Sequence, residues 1–334
     1  MVLSSSVLRR ALVALAAALT LALGALLWLR HGQRPITVTE GKFPEELVYV
    51  RSSDDIVNGG AMFTPSKTAA KPIAVIWIHG WASNFYDPSY TMIGRALAAR
   101  GYTCISGNTR MHDIGTVAGY RLGKRIRGGG YWGVPSEQAE DLAAWIDFAQ
   151  VRGFKNVVLV GHSAGWAAVR AYQAEKQDPR VVGLISASGQ IYPNEALDPK
   201  MLADATRLVA NGRGDELLRF PGEHRPYPSY VSAATYSDSA TVPPEMMDFY
   251  GIRTSNPAVT RIHCPLLAWF GTGDDVGAAK DLDVLKSSTR RQSSGPSRVD
   301  TVMIQHADHM YTGQETQVAD IIAHWADNLL PPRR

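Results

Sequence analysis

Residues Asn156 to Gly165 read Asn-Val-Val-Leu-Val-Gly-His-Ser-Ala-Gly, and this stretch restricts the fold more than any other in the chain. Four consecutive apolar residues, Val157 to Val160, suit a strand buried on both faces, as in a parallel sheet covered by helices. The small residues that follow must turn sharply before Trp166 to Tyr172 can begin a helix. In the pattern Gly161-x-Ser163-x-Gly165 the glycines permit close backbone approach, so Ser163 is held at a strained bend with its hydroxyl exposed above the sheet. A match of five residues is weak alone, because Gly and Ser are common in turns. Its position between a buried strand and a helix gives it weight.

At 334 residues and 45% apolar content, the chain suffices for one large α/β domain, with two small domains as the alternative. The net charge of +3 comes from the N-terminus: Arg9, Arg10, Arg30 and Arg34 flank the first apolar run, and residues 35–334 stand at −1. The body has no electrostatic signature of a nucleic-acid partner. Two cysteines, Cys104 and Cys264, lie in or beside expected strands and read as small buried apolar residues rather than as a disulfide. No Cys/His spacing resembles a metal site.

Residues 11–29 carry no charge. As a helix they would span about 28 Å, close to the ~30 Å hydrocarbon thickness of a bilayer. A membrane anchor and a cleaved export signal, with Arg9-Arg10 as its basic region and Ala22-x-Gly24 as its cleavage site, are both open for residues 1–34. Either places the body outside the cytoplasm, membrane-anchored or exported to a periplasmic or extracellular space. The membrane is then a partner only if the segment is retained. Residues 35–45, with Pro35 and Pro44, read as a linker.

Strands are expected at Glu46–Arg51, Val57–Phe63, Ile73–Ile78, Tyr102–Ser106, Val157–Val160, Val181–Ser186, Pro265–Phe270 and Arg298–Ile304. Helices are expected at Tyr90–Arg100 and at Ser136–Gln150, where Leu142, Trp145, Ile146 and Ala149 recur at helical spacing. This alternation predicts a mainly parallel sheet with helices on both faces. Residues 107–133, rich in Gly and Arg, lack P-loop spacing; they read as a solvated loop, or as a rim greeting acidic substrates or lipid headgroups. Residues 190–262 break the rhythm. They contain a helix at Pro199–Ala210 and short helical pieces near Tyr230–Thr235 and Glu245–Tyr250, and are too long for an ordinary connection. A cap over the site is the reading. Thr312 and Glu315 suggest a capping box for a final helix.

The Gly-x-Ser-x-Gly bend, the His79-Gly80-Trp81 phrase after the third strand, and a later acid and histidine in that order resemble the α/β-hydrolase superfamily of serine esterases, lipases and relatives, over residues 46–330. The cap, the phrase His79 to Pro88 and Asn108-Thr-Arg110 are similar to its siderophore-type esterase branch. The resemblance implies the α/β-hydrolase fold with a helical cap insertion, and Ser163 as nucleophile. It implies Asp274 from Gly271-Thr272-Gly273-Asp274 as the acid, with Asp275 as rival, and His309 as the base, with His306 as rival. The backbone N–H groups of Trp81 and Ala164 would form the oxyanion hole, and His79 is structural. Trp166, Tyr131 and Trp132 are candidates for lining an acyl or alcohol pocket, against a plain packing role.

The expected activity is hydrolysis of a small-molecule or lipid carboxylic ester through an acyl-enzyme, with no cofactor and no metal. A membrane-proximal lipase or lysophospholipase, an acyltransferase, and an idle binding module are the alternatives.

Overall fold

The computed structural model describes residues 15–24, 45–66, 69–121, 124–193, 196–220 and 229–330. Residues 15–24 form an exposed helix, α1, within a unit that ends at Gly41. Among the described residues no helix is long and apolar enough to cross a membrane. The rest of the expected anchor or signal, and the linker as far as residue 44, lie outside the described residues.

The second unit, Lys42–Arg334, is built on eight strands. These are β1 (Glu45–Arg51), β2 (Val57–Phe63), β3 (Ile73–Ile78), β4 (Thr103–Gly107), β7 (Asn156–His162), β8 (Val181–Ala187), β11 (Leu266–Gly271) and β12 (Val299–Ile304). Their spatial order is β1-β2-β4-β3-β7-β8-β11-β12. Only β2 runs against its neighbours; from β4 to β12 every pairing is parallel.

Alternate residues of the central strands feed two cores. Ala74, Ile76 and Ile78 of β3 and Val157 and Leu159 of β7 meet Leu142, Trp145, Val169 and Leu285, which come from α3 (Gln138–Val151), α4 (Gly165–Lys176) and α8 (Ala279–Arg290). Ile73, Val75 and Trp77, with Val158 and Val160, meet Ile93, Leu97, Val318 and Ile322 of α2 (Pro88–Ala99) and α9 (Glu315–Ala326). Burial on both faces explains why β3 and β7 read as unbroken apolar runs. The α/β-hydrolase arrangement expected from the sequence is the one observed. The insertion between β8 and β11 holds α5 (Pro199–Ala210) and α6 (Ala233–Ser239), which close a small core of Met201, Ala205, Leu208, Val231 and Tyr236, and α7 (Pro244–Met247), whose Met246 joins the larger core under α4.

Several local expectations are corrected. Residues 107–133 are not a plain solvated loop: β5 (Thr116–Arg121) and β6 (Lys124–Gly128) form an antiparallel hairpin. The cap is not wholly helical, since β9 (Leu217–Arg219) pairs with β10 (Tyr230–Ser232). Helix α8 leaves little trace in the sequence pattern; its apolar positions are few and its first turn is fixed by Asp281, which accepts from the Ala278 N–H at 2.7 Å. The Thr312–Glu315 capping box does not form. Gln314 occupies the N-cap without a side-chain bond, and Glu315 begins the helix. Both cysteines are free.

Arg110, expected on a solvated basic rim, is 3% exposed. Its Nε and Nη2 donate to the two Asp141 oxygens at 3.0 and 3.1 Å, its Nη1 and Nη2 to Asp54 at 2.8 and 3.0 Å, and Nη1 also to Glu137. The planar fork meets three carboxylates, a task a lysine ammonium cannot reproduce. The cluster ties the segment after β4 to α3 and to the β1–β2 turn. Arg110→Met strands the fully buried Asp141 carboxylate without its cation, and is expected to lower the unfolding free energy by about 3–5 kcal/mol; a urea midpoint unchanged from wild type would contradict this role.

Candidate active site

The bend after β7 places Ser163 at φ +51°, in the left-handed region that side chains rarely adopt. Two glycines make the bend possible. A Cβ on Gly161 would lie 2.5 Å from the Trp166 Cα, and one on Gly165 would collide with the His79 carbonyl oxygen. The elbow therefore presses directly on the end of β3. A Cβ on Gly80 would sit 3.1 Å from the Ser163 Cβ, so the His79-Gly80-Trp81 turn lies beside the serine. Among the described residues the N–H groups of Trp81 and Ala164 have no hydrogen-bond acceptor.

Asp274, at the turn after β11, has a fully buried side chain. Its Oδ1 accepts from His309 Nδ1 at 3.0 Å and from the Val276 N–H at 2.9 Å. Its Oδ2 accepts from the Ser188 hydroxyl, which in turn accepts from Tyr311 at 2.7 Å. Burial pushes the Asp274 carboxyl up, but the hydrogen bonds from His309, Ser188 and Val276 outweigh it and hold the pKa below 3.8. The same bond to Asp274 raises His309 above its ordinary 6.5, against desolvation. With Nδ1 engaged, His309 keeps Nε2 for the cavity.

Ser163 and His309 line one cavity of about 770 Å³ together with Gly80, Trp81 and Met310, and the cap contributes Phe220, Tyr230 and Val231 to its wall. Among the described residues Ser163 Oγ takes no hydrogen-bond partner, so the hydroxyl faces the cavity uncommitted. Asp275 lines the same cavity but is exposed and is not the residue bonded to His309. His306 is exposed at φ +60°, its N–H bonded to Thr272, and does not reach the cavity. Asp274, Asp275 and His309 bring possible metal-ligand atoms within 4.8 Å of one another. Both Asp274 oxygens are already hydrogen-bonded, which leaves a poor donor set for a cation.

The pocket candidates separate. Trp166 is 1% exposed and packs edge-on against Phe249 in the core beneath the elbow, so it offers no surface to a substrate. Tyr131 stands 6.1 Å from Trp81, ring to ring, and Trp132 lies tilted against Tyr131 at 5.9 Å; neither lines the cavity itself. Trp81 itself is 43% exposed, with Nε1 fixed on the Gly130 carbonyl at 3.0 Å. His79 is structural: it accepts from the Thr109 N–H at 3.0 Å, and burial lowers its pKa to about 4.

Three residues escaped sequence reasoning. His162, the variable position before the serine, is 1% exposed, with Nδ1 on the Tyr90 hydroxyl at 2.7 Å and Nε2 on the His309 carbonyl at 2.9 Å. Burial, reinforced by the nearby His309, lowers its pKa to about 3. The ring is therefore neutral and donates through Nε2, accepting from Tyr90 at Nδ1. Ser188, at φ +53°, and Tyr311, at φ +61°, brace Asp274. Only the position of Ser188 directly after a strand could have marked it, and that signal is common.

No curated protein sequence matches the chain. Among solved structures, Est1E from Butyrivibrio proteoclasticus with bound ferulic acid is similar at 14% identity and a TM-score of 0.59, over 84% of this chain and 98% of that one. A hypothetical protein from Pseudomonas aeruginosa is similar at 11% identity and a TM-score of 0.62, over 89% and 99%. An esterase from Pyrococcus furiosus is similar at 15% identity and a TM-score of 0.53, over 88% and 96%. At these identities the likeness bears on the fold. The Alpha/beta hydrolase family matches the sequence over residues 75–321, from β3 through most of α9, a span that contains Ser163, Asp274 and His309. The chain belongs to the Alpha/beta hydrolase family.

Proposed function

We propose that the chain hydrolyses a carboxylic ester through an acyl-enzyme formed on Ser163. The observation that carries this reading is one cavity wall holding an uncommitted serine on a left-handed bend and a histidine whose far nitrogen is fixed by a buried carboxylate. His309 takes the Ser163 proton as Oγ attacks the ester carbonyl, and Asp274 stabilises the resulting imidazolium. The negative charge that develops on the carbonyl oxygen is received by the N–H groups of Trp81 and Ala164, each contributing about 2.7–4 kcal/mol to the transition state. His309 returns the proton to the departing alcohol. Water then repeats the sequence and releases the acid. The aromatic side of the cavity, Trp81, Phe220 and Tyr230, favours esters with a flat or apolar group.

Active-site labelling with a fluorophosphonate tests the nucleophile. Ser163→Ala is expected to abolish labelling and to reduce hydrolysis of short aliphatic and hydroxycinnamate esters by about 10⁴-fold or more. Labelling that survives the substitution would reject the assignment.

The pH dependence follows from the charge on His309. The base must be neutral, and a raised pKa means that the neutral form is gained only at higher pH. The kcat/KM profile is therefore expected to rise with pH through a midpoint above 6.5, while His162, already neutral, adds no limb between pH 5 and 8. In Asp274→Asn the midpoint should move down and kcat fall by about 10⁴-fold; a rate profile with an unmoved midpoint would show that Asp274 is not the partner.

His162 acts as a positioning residue, holding the carbonyl of His309. His162→Leu removes that bond, worth about 1–3 kcal/mol for a buried group. The expected result is a kcat lower by roughly 5–150-fold with KM little changed and Ser163 still labelled. An unaltered kcat in a folded variant would remove His162 from the account.

A further inference from the structure

A second cavity, of about 560 Å³, lies between α4, the start of α3 and the α7 part of the cap. Among the described residues it shares only Pro135 with the catalytic cavity. Its volume falls within the ~300–1,000 Å³ typical of small-molecule sites. Small residues on α4, Ala167, Ala168 and Ala171, open the space, and Leu197, Val242 and Met246 close it with apolar surface.

Into this wall is set Arg170, 6% exposed. It forms no ion pair and no hydrogen bond among the described residues, and its Nε is buried without a partner. Its guanidinium stacks on Phe249, 5.1 Å from the ring centroid. That contact orients the cation but supplies no anion. Glu175, the one carboxylate among the described lining residues, is exposed and does not pair with it. The nearby Tyr250 phenol is no counter-ion either, since burial pushes its pKa up to about 12. Removing one partner of a buried ion pair is strongly destabilising because the other charge is left uncompensated, and Arg170 is in that condition within the protein alone.

We propose that the second cavity binds an amphipathic carboxylate, its head on the Arg170 guanidinium and its apolar body against Leu197, Val242 and Met246. The planar fork of an arginine fits a carboxylate with two parallel hydrogen bonds, and the apolar walls select against a small hydrated anion. The site is independent of the chemistry at Ser163 and stands whether or not that chemistry is ester hydrolysis.

Isothermal titration of the full chain with decanoate, decanol and inorganic phosphate tests it. Decanoate is expected to bind saturably, with decanol and phosphate at least tenfold weaker. Arg170→Met, which removes the cation and keeps the volume, and Val242→Phe, which fills the cavity and leaves Arg170 in place, should each weaken decanoate at least tenfold. Arg170→Met should also raise the melting temperature of the ligand-free protein, because an unpaired buried charge is gone. No saturable decanoate binding, equal affinity for decanol or for phosphate, or decanoate affinity unchanged in Val242→Phe would each overturn the proposal. The last result would place the ligand in the catalytic cavity or elsewhere.

Discussion

The molecule turns on a steric coincidence: the backbone after β7 and the backbone after β3 touch because a glycine stands on one side of each contact. Gly165 lies against the His79 carbonyl and Gly80 against the Ser163 Cβ. A left-handed conformation costs an L-residue about 1–2 kcal/mol, and Ser163 is held there by its N–H bond to the Ala187 carbonyl at 2.9 Å and by the start of α4 at Gly165. The same contact brings the Trp81 N–H beside the serine. Presentation of the hydroxyl and placement of an amide donor are thus one packing event, made at the ends of adjacent parallel strands where ligand sites of open α/β sheets form.

The far half of the site is held by side chains instead. Asp274 comes from the turn after β11, His309 from the loop after β12, Ser188 from just after β8 and Tyr311 from just before α9, so no local conformation could align them. The bonds from Tyr311 to Ser188 to Asp274 to His309 do so. His162 closes the circuit by joining the elbow strand to the His309 carbonyl. A charged imidazole there would repel a protonated His309. Its neutrality, enforced by burial, lets it serve as a pure hydrogen-bonding strut.

The legible part of the chain was the part governed by short-range pattern. All eight strands of the sheet were expected; the central β3, β7, β8 and β11 are buried on both faces and leave a continuous apolar signature, while the edge pair β1 and β2 is marked by the polar turn between them. Asp274 and His309 were singled out through the family resemblance, and the bond between them, which Asp275 does not make, depends on a side-chain direction that only the structure supplies. What escaped depends on contacts remote in sequence. The β5–β6 hairpin has exposed basic residues and no apolar alternation, and Arg110 reads as solvated until Asp54, Glu137 and Asp141 close around it. For Trp166 the sequence left a pocket role and a packing role open, because it follows the serine by three positions; the start of α4 turns it beneath the elbow, and the packing role is the one observed.

Two buried arginines show how the same residue type takes opposite roles. Arg110 is enclosed by three carboxylates, so its charge is compensated within the chain and it fastens elements together. Arg170 is as deeply enclosed, yet meets an aromatic face, alanines and a void. Stacking on an aromatic ring is worth roughly 0.5–2 kcal/mol, while the effective penalty for burying an ion is several kcal/mol. The imbalance is one that packing alone has no reason to retain, since an apolar residue of similar volume would fill the position at lower free energy. A bound anion would remove it, and the apolar walls around the guanidinium restrict which anions can do so.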